Sequence, residues 1–291
     1  MGNQLIAFKG IETDSQTIRV FRIQPVQRDS RELLLRSNPM QDVVQSRFSS
    51  VLPYVEFNSV ITSVDYSGDR VLLTGMQDGT DFNTEVDKLV IAVPLSILKT
   101  AIAFSPALPT GKQQALGGLD MSAAVKVVMD FKRNFWSNDC AYIYGHPNLP
   151  ELFTTGLGRS ELNKSLSLTV FGDKAEEISA KGPDAIPYIL AELDAVFDNK
   201  ATPNIRLDDD GAPIYEMVDW TAEPYIQGGI SYIRPGASHD HRVALAEPVD
   251  SVLYFAGEAA DVSGDAGTVN GALVSAQRVA QEVVDSILAQ G

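Results

Sequence analysis

Lys126 stands in an apolar run, Val125-Lys126-Val127-Val128-Met129, where an ammonium is costly unless something pairs with it. Strand alternation puts it on the face opposite Val125 and Val127. That face is either solvent or a site in which a cation does work. A second candidate group is Trp220 and Tyr225, which precede Gly228-Gly229. An aromatic pair is either core or a ring-lined wall, and paired glycines let another group approach the backbone closely. The third is Gly257-Glu258, followed by the turn Ser263-Gly264-Asp265-Ala266-Gly267 and by Thr268-Val269-Asn270-Gly271-Ala272. A strand, a Gly-rich turn and a helix start present unpaired N–H groups with partial positive charge, which suit an anionic group of a ligand. The same unit also reads as a plain docking helix.

These groups need elements to position them. Leu253 to Ala256 reads as a buried strand, and the helix after Thr268 runs almost to the end of the chain. Gly271, Ala272, Ser275 and Ala276 keep one side of it thin, while Val269, Leu273, Val283 and Ile287 read as apolar anchors. Tyr54-Val55-Glu56-Phe57 reads as a strand. Val60 to Tyr66, a Ser67-Gly68-Asp69 turn and Arg70 to Thr74 read as a hairpin, with another turn at Asp78-Gly79. Lys88 to Val93 is nearly all apolar, as a strand covered on both faces is, and Pro94 ends it. Further strands are expected at 124–131, 165–171, 214–220 and 229–233, and a helix over 184–198 with one broad apolar face. Near the start, Thr17 to Ile23 alternates like a strand and Arg28 to Arg36 suits a helix. The elements interleave irregularly, so a mixed sheet fits better than a repeat.

Composition excludes several functions. The chain has 23 Lys+Arg against 38 Asp+Glu, a net charge of −15. Such a surface disfavours nucleic acid and anionic membrane; it suits cationic ligands such as amines, and solubility or a salty habitat accounts for it equally well. One cysteine, Cys140, rules out an intrachain disulfide and a cysteine-based metal cluster. His239-x-His241 could ligate a metal from a strand, but its neighbours read as a helix start, and no metal is expected. No apolar run approaches the roughly 20 residues of a membrane span. The start of the chain is not a signal peptide. The expectation is a soluble, cytoplasmic protein.

The pattern Phe255-Ala256-Gly257-Glu258, a Gly-rich gap, then Gly267-Thr268-Val269-x-Gly271-Ala272 resembles the C-terminal signature of the flavin-containing amine oxidases, the monoamine and polyamine oxidase family. The resemblance extends over most of residues 51 to 288. No Gly-x-Gly-x-x-Gly unit follows a strand near the start of the chain, although the family opens with one to hold the FAD pyrophosphate. The resemblance therefore implies a mixed α/β (α+β) chain, with a partial two-dinucleotide-fold FAD domain (51–95 and 245–291) and a mixed-sheet substrate domain (96–244). Residues 1–50 form an atypical N-terminal segment in this reading.

The resemblance also implies roles. Lys126, shortly before Phe131 and Phe135-Trp136, would hold a water at flavin N5 and assist reoxidation by dioxygen. Trp220, Tyr225 and Gly228 would lie beside the flavin ring, with Tyr225 toward substrate. Glu258, with Gly257, would meet the ribityl–pyrophosphate part of FAD. Thr268 and Val269 would face the flavin pyrimidine edge, and Val60 the adenine. The family's flavin-linking cysteine falls at Ile230, which implies noncovalent FAD. The two tyrosines of the monoamine oxidase cage fall at Ser231, a substrate position, and at Thr268, so the site is more open and closer to polyamine or amino-acid oxidases. The implied function is oxidative deamination of a small-molecule amine, polyamine or amino acid, with hydride passing to flavin and then to dioxygen. The alternative is a non-catalytic or partner-dependent fragment with the substrate-domain fold, which pairs with a second chain bearing the dinucleotide unit or with copies of itself, acts as a binding module, or is a decayed or truncated gene product. Without the dinucleotide unit, the 252–256 strand and the final helix are expected to expose an apolar surface, to be covered by residues 1 to 50, or to be covered by oligomerisation.

Overall fold

The structure, a computed structural model, describes residues 40–137, 140–144, 146–156 and 163–289. The strand and helix expected within residues 17–36 lie outside the described residues. Helix α1 (Met40–Arg47) leads to a 3-10 turn at Leu52–Tyr54. A strand was expected at Tyr54 to Phe57. Instead Pro53 fixes a helical turn, Tyr54 and Phe57 are 83% and 76% exposed, and Asn58 takes φ 56°. Proline sets φ for such a turn and offers no N–H to a ladder.

The expected hairpin is present as β1 (Ser59–Asp65) and β2 (Val71–Gln77), and β3 (Thr80–Val86) extends it to a meander. Asp78 and Gly79 both adopt positive φ at the second turn, as a tight hairpin requires. The register shifts between Ile61 and Ser63. There a Cβ on Gly75 would lie 2.1 Å from the Val60 carbonyl oxygen, so only glycine fits. Val64, Val71 and Leu73 face inward.

Next come β4 (Leu89–Ile91), α2 (Leu95–Thr100), β5 (Ala103–Ser105), α3 (Thr110–Gly118) and β6 (Leu119–Met121). β5 pairs parallel with β1, giving the order β3-β2-β1-β5. The central layer is then β7 (Ala124–Asp130), β8 (Tyr142–Tyr144), β9 (Glu151–Thr154), β10 (Ser165–Phe171) and β11 (Tyr215–Asp219), in the order β11-β7-β10-β9-β8. Helices α4 (Asp173–Ala180), α5 (Ala185–Val196) and α6 (Ala201–Asn204) accompany it. Val125, Val127, Met129, Leu166 and Leu168 from the sheet meet Ile186, Ile189 and Leu193 from α5 in one core.

The chain returns through β12 (Ser231–Ile233), α7 (His239–Ala246), β13 (Leu253–Phe255) and α8 (Val269–Leu288). β12 pairs with β6, and β13 pairs parallel with β4. A second core joins Val64, Leu73, Leu95, Leu98, Leu119, Leu245 and Phe255, so α2, α3 and α7 pack with the meander. The buried Lys112 fastens α3 to α7. Its Nζ donates to the carbonyls of Ala244 and Leu245, each at 2.8 Å, and of Glu247, satisfying the helix's orphan carbonyls.

Two expectations fail here for one reason. β4 was expected to be covered on both faces, yet Val90 and Val93 are 45% and 36% exposed. On α8, the expected anchors Val269, Leu273 and Ile287 are exposed and Val283 is half-buried. The helix seats itself by Gly271, Ser275 and Val279 against Tyr254 and Ala256 of the β13 segment, while Ala276 of the expected thin side is exposed. Ser275 Oγ bonds both the N–H and the carbonyl of Gly257, each at 2.9 Å. α8 thus covers β13 but leaves the neighbouring strand β4 bare. Among the described residues β13 itself is buried, while Val90 of β4 and Leu273, Val284 and Ile287 of α8 are exposed.

Candidate functional site

The Gly-rich turn before α8 is built by two carboxylates. Asp261, 1% exposed, accepts from the N–H groups of Ser263 (3.2 Å), Gly264 (3.2 Å) and Asp265 (2.8 Å), and from Ser263 Oγ (2.7 Å). Glu258 accepts from the Gly267 N–H at 2.7 Å. Thr268 caps the helix: its hydroxyl donates to the Asp265 carbonyl (2.6 Å) and accepts from the Gly271 N–H (3.1 Å). Gly271 is required there, since a Cβ would stand 2.3 Å from the Asp265 oxygen. The Val269 side chain is 76% exposed at the first helical position.

Glu258 does more than hold the turn. It also accepts from the Ser231 N–H (3.1 Å) and the Ser231 hydroxyl (2.8 Å). Arg242 lies behind, 5% exposed, donating from Nη1 to Ser231 Oγ and the Ala259 carbonyl, both at 2.8 Å, and from Nη2 to the Ser231 carbonyl at 3.1 Å. Burial pulls the Arg242 guanidinium below its ordinary value, and the charges of Glu258 and Asp261 oppose that pull. Ser231 was expected to face substrate. It is 4% exposed, with its hydroxyl shared between Glu258 and Arg242.

One segment ties this clamp to the strand of Lys126. The Trp220 N–H donates to the Ala124 carbonyl at the start of β7 (3.0 Å), and the Gly228 N–H returns to the Trp220 carbonyl (3.0 Å). Gly229 N–H donates to the Ser122 carbonyl (2.8 Å), and Ser122 N–H to the Ile230 carbonyl (2.9 Å). Gly228 has φ 146°, and a Cβ on it would fall 2.8 Å from Met121 Cβ; one on Gly229 would fall 2.3 Å from Ala124 Cβ. On the other side, a Cβ on Gly267 would meet Ile230 Cγ2 at 2.7 Å. The segment 220–231 therefore meets β7 through Trp220 and Gly229, and meets Gly267 and Glu258 through Ile230 and Ser231.

Lys126 occupies the face of β7 away from the core. It is exposed, and its Nζ lies 5.4 Å from the Phe153 ring centroid. Tyr225 is 65% exposed on the loop between Trp220 and Gly228. Trp220 is half-buried. Val60 stands apart, on β1 of the meander. Gly257 takes φ 104°, which favours glycine. His241 fills a capping box at the start of α7, and its ring leans on Gly118. No group of three or more metal-ligating residues occurs among the described residues.

The sequence did not single out Arg242, Asp261 or Phe153. Asp261 left a readable trace, an Asp two positions before Ser-Gly, which is an Asx-turn pattern. Arg242 and Phe153 left none, because each acts on residues distant in the chain.

Comparison with known proteins places this geometry. The family model for flavin containing amine oxidoreductase matches residues 39–284. The human lysine-specific histone demethylase 2 is 26% identical over 239 residues, covering 79% of this chain and 28% of that protein. The rice (Oryza sativa subsp. japonica) polyamine oxidase 4 is 28% identical over 239 residues, covering 81% of this chain and 46% of that protein. A wild-type putrescine oxidase solved with putrescine shares the fold, with a TM-score of 0.70 at 21% identity over 84% of this chain and 53% of that one. The chain thus spans about half or less of the length of these relatives. It belongs to the flavin-containing amine oxidoreductase family, whose cofactor is FAD.

Proposed function

We propose that this chain carries the substrate-facing and C-terminal part of an FAD-dependent amine oxidoreductase, acting on an amine, polyamine or amino acid with dioxygen as final acceptor. The observation that carries the reading is the clamp of Glu258 on Ser231 and Gly267, which sets the start of α8 beside the 220–231 segment. The residues present fit the cofactor. The Val269 and Asn270 N–H groups open a helix whose first side chains are exposed. Ile230 offers no nucleophile for a covalent flavin link, so binding is noncovalent.

When bound, FAD supplies two-electron acceptance from the amine carbon and reoxidation by dioxygen. The protein's own part is positional. The α8 N-terminus favours negative charge placed before it, by about 1 kcal/mol. Trp220 and the Gly228-Gly229 backbone would lie beside the flavin ring and limit water there. Lys126 would hold a water by donating to it, on the side that would receive the amine. On this reading Tyr225 would face substrate and Val60 would contact the adenine. The domain division proposed on this reading is a cofactor part built on the meander, β4, β13 and α8, and a substrate part built on the β11-β7-β10-β9-β8 sheet.

The test adds FAD to the full chain and measures peroxide released from a panel of amines. Lys126→Met should slow reoxidation by dioxygen while leaving flavin binding unchanged. Peroxide release with equal oxygen kinetics in that variant would remove Lys126 from the site.

A second reading rests on the bare face of β4 and α8. Val90, Leu273, Val284 and Ile287 are each at least 45% exposed. A second chain bearing a dinucleotide-binding unit, or another copy of this chain, would cover that face and complete the cofactor site. Activity that appears only on adding such a chain would favour this reading. No helix among the described residues is long and apolar enough to cross a membrane.

A further inference from the structure

Strand β11 ends at Asp219, and the chain turns there at once. The Asp219 carboxylate shapes the turn. Its Oδ1 accepts from the N–H groups of Thr221 (3.0 Å) and Ala222 (3.3 Å), and its Oδ2 accepts from the hydroxyl of Ser179 in the last turn of α4. The Ala222 N–H also reaches the Asp219 carbonyl at 3.2 Å. Aspartate suits such a turn because its short side chain reaches the backbone N–H two residues on.

Trp220 is the residue around which the chain turns. The register pairs Val218 with Lys126 and Asp219 with Val125, so the next step sets Trp220 opposite Ala124. Alternation then puts Trp220 on the Lys126 face of the sheet and Asp219 on the opposite face, toward α4. The Trp220 N–H donates to the Ala124 carbonyl at 3.0 Å. In a regular antiparallel pair the Ala124 N–H would return to the Trp220 carbonyl. Here it donates to Thr221 Oγ1 at 3.0 Å instead. The Trp220 carbonyl is thereby free to accept from the Gly228 N–H, at 3.0 Å, which closes the neck of the 221–227 loop.

We infer that Asp219 is the positioning residue for Trp220. Anchored on Ser179, it holds the Thr221 and Ala222 N–H groups, turns the Trp220 carbonyl out of the ladder toward Gly228, and keeps the indole on the Lys126 face. This rests on the flavin-facing reading of Trp220 above. A ring that is already fixed binds without the ordering cost that a loose one carries. Without the carboxylate two N–H groups lose their acceptor, and the largely exposed loop behind Trp220 is no longer held to α4.

The experiment reads the emission of Trp220 in the full chain without cofactor, as the difference between each protein and its Trp220→Phe counterpart. Trp136, the second tryptophan, is 7% exposed in the core of the central sheet and reports general loosening. Asp219→Ala should shift Trp220 emission to longer wavelength and steepen its quenching by acrylamide, with Trp136 emission unchanged. Asp219→Asn keeps an acceptor for the two N–H groups and should restore most of the wild-type signal. Ser179→Ala keeps the turn but removes its anchor; it should give a smaller shift, and it decides the matter if Asp219→Ala does not fold. A Trp220 signal that ignores Asp219→Ala, or in that event Ser179→Ala, would overturn the inference. A shift equally large in Asp219→Asn would overturn it too, by assigning the effect to charge. Addition of FAD tests the functional reading separately, since a flavin beside an indole quenches its emission. Quenching of Trp220 in the wild type that weakens in Asp219→Ala supports both. A Trp220 shift in Asp219→Ala with no quenching by FAD in the wild type keeps the positioning role and sinks the flavin-facing reading. Quenching by FAD with no response to Asp219→Ala does the reverse.

Discussion

The carboxylate of Glu258 grips Ser231, 27 residues earlier, through both its N–H and its hydroxyl. A third bond, from the Gly267 N–H at 2.7 Å, fixes the turn before α8 to the same carboxylate. The start of the last helix and the segment next to β7 are therefore positioned by a single side chain.

Glu258→Ala should loosen both partners together. It leaves buried donors on Ser231 and Gly267 and an uncompensated Arg242, which predicts a loss of about 3–5 kcal/mol. Ser231→Ala removes less, about 1–2 kcal/mol, since the Ser231 N–H bond to Glu258 survives. Urea unfolding of the two variants checks the order. Equal losses would show that the Ser231 hydroxyl, not the carboxylate, organises the clamp.

How much of this could be read from residue order is uneven. The hairpin of β1 and β2, the strand β7 and the helix α5 each follow from local alternation or helical spacing, because side chains four or fewer positions apart decide them. The turn after Glu258 was legible for the same reason. The clamp itself was not, because Glu258, Ser231 and Arg242 meet only through tertiary approach. The placement of α8 was misread, since apolar spacing tells which residues share a face and not whether that face is covered. Small residues, Gly271 and Ser275, chose the seat instead.

Gly271 should tolerate no side chain. Alanine ordinarily favours a helix over glycine by about 1 kcal/mol, but a Cβ here would meet the Asp265 oxygen at 2.3 Å. Gly271→Ala should therefore destabilise the chain by about 1–3 kcal/mol, whereas Ala276→Gly, on the exposed side of α8, should cost only the propensity difference. Thermal unfolding of the pair distinguishes them. A stabilised Gly271→Ala would show that the turn moves freely.

Lys112 should give stability an unusual pH dependence. Burial lowers its ammonium from 10.5 to about 8, against the pull of Glu247. Between those values the unfolded chain holds the proton and the folded chain has released it. From this group stability therefore rises as pH climbs through that window, and the burial cost is fully present below it. Lys112→Met should flatten the rise and, near neutral pH, cost about 1–3 kcal/mol through the orphaned carbonyls at the end of α7. Unfolding free energies measured across the window test both statements, and an unchanged slope in the variant would remove Lys112 as the cause.

The bare face of β4 and α8 should associate. Val284 and Ile287 are 48% and 54% exposed on one side of the helix, and exposed apolar side chains favour contact with another surface. Substituting Val284 and Ile287 together by lysine should lower concentration-dependent association without lowering stability. Sedimentation velocity over a range of concentrations reads this directly. A wild-type chain that stays monomeric throughout would show that this face does not drive association.

The most direct test of the whole account is the visible absorption spectrum of the full chain during titration with FAD, run beside Glu258→Ala. The account predicts a saturable change in the flavin bands for the wild type, and a markedly weaker one for the variant, because the turn before α8 is no longer held. A wild-type spectrum that remains the sum of free FAD and protein, or a variant that saturates identically, would contradict the claim that the Glu258 clamp and the start of α8 form a flavin site.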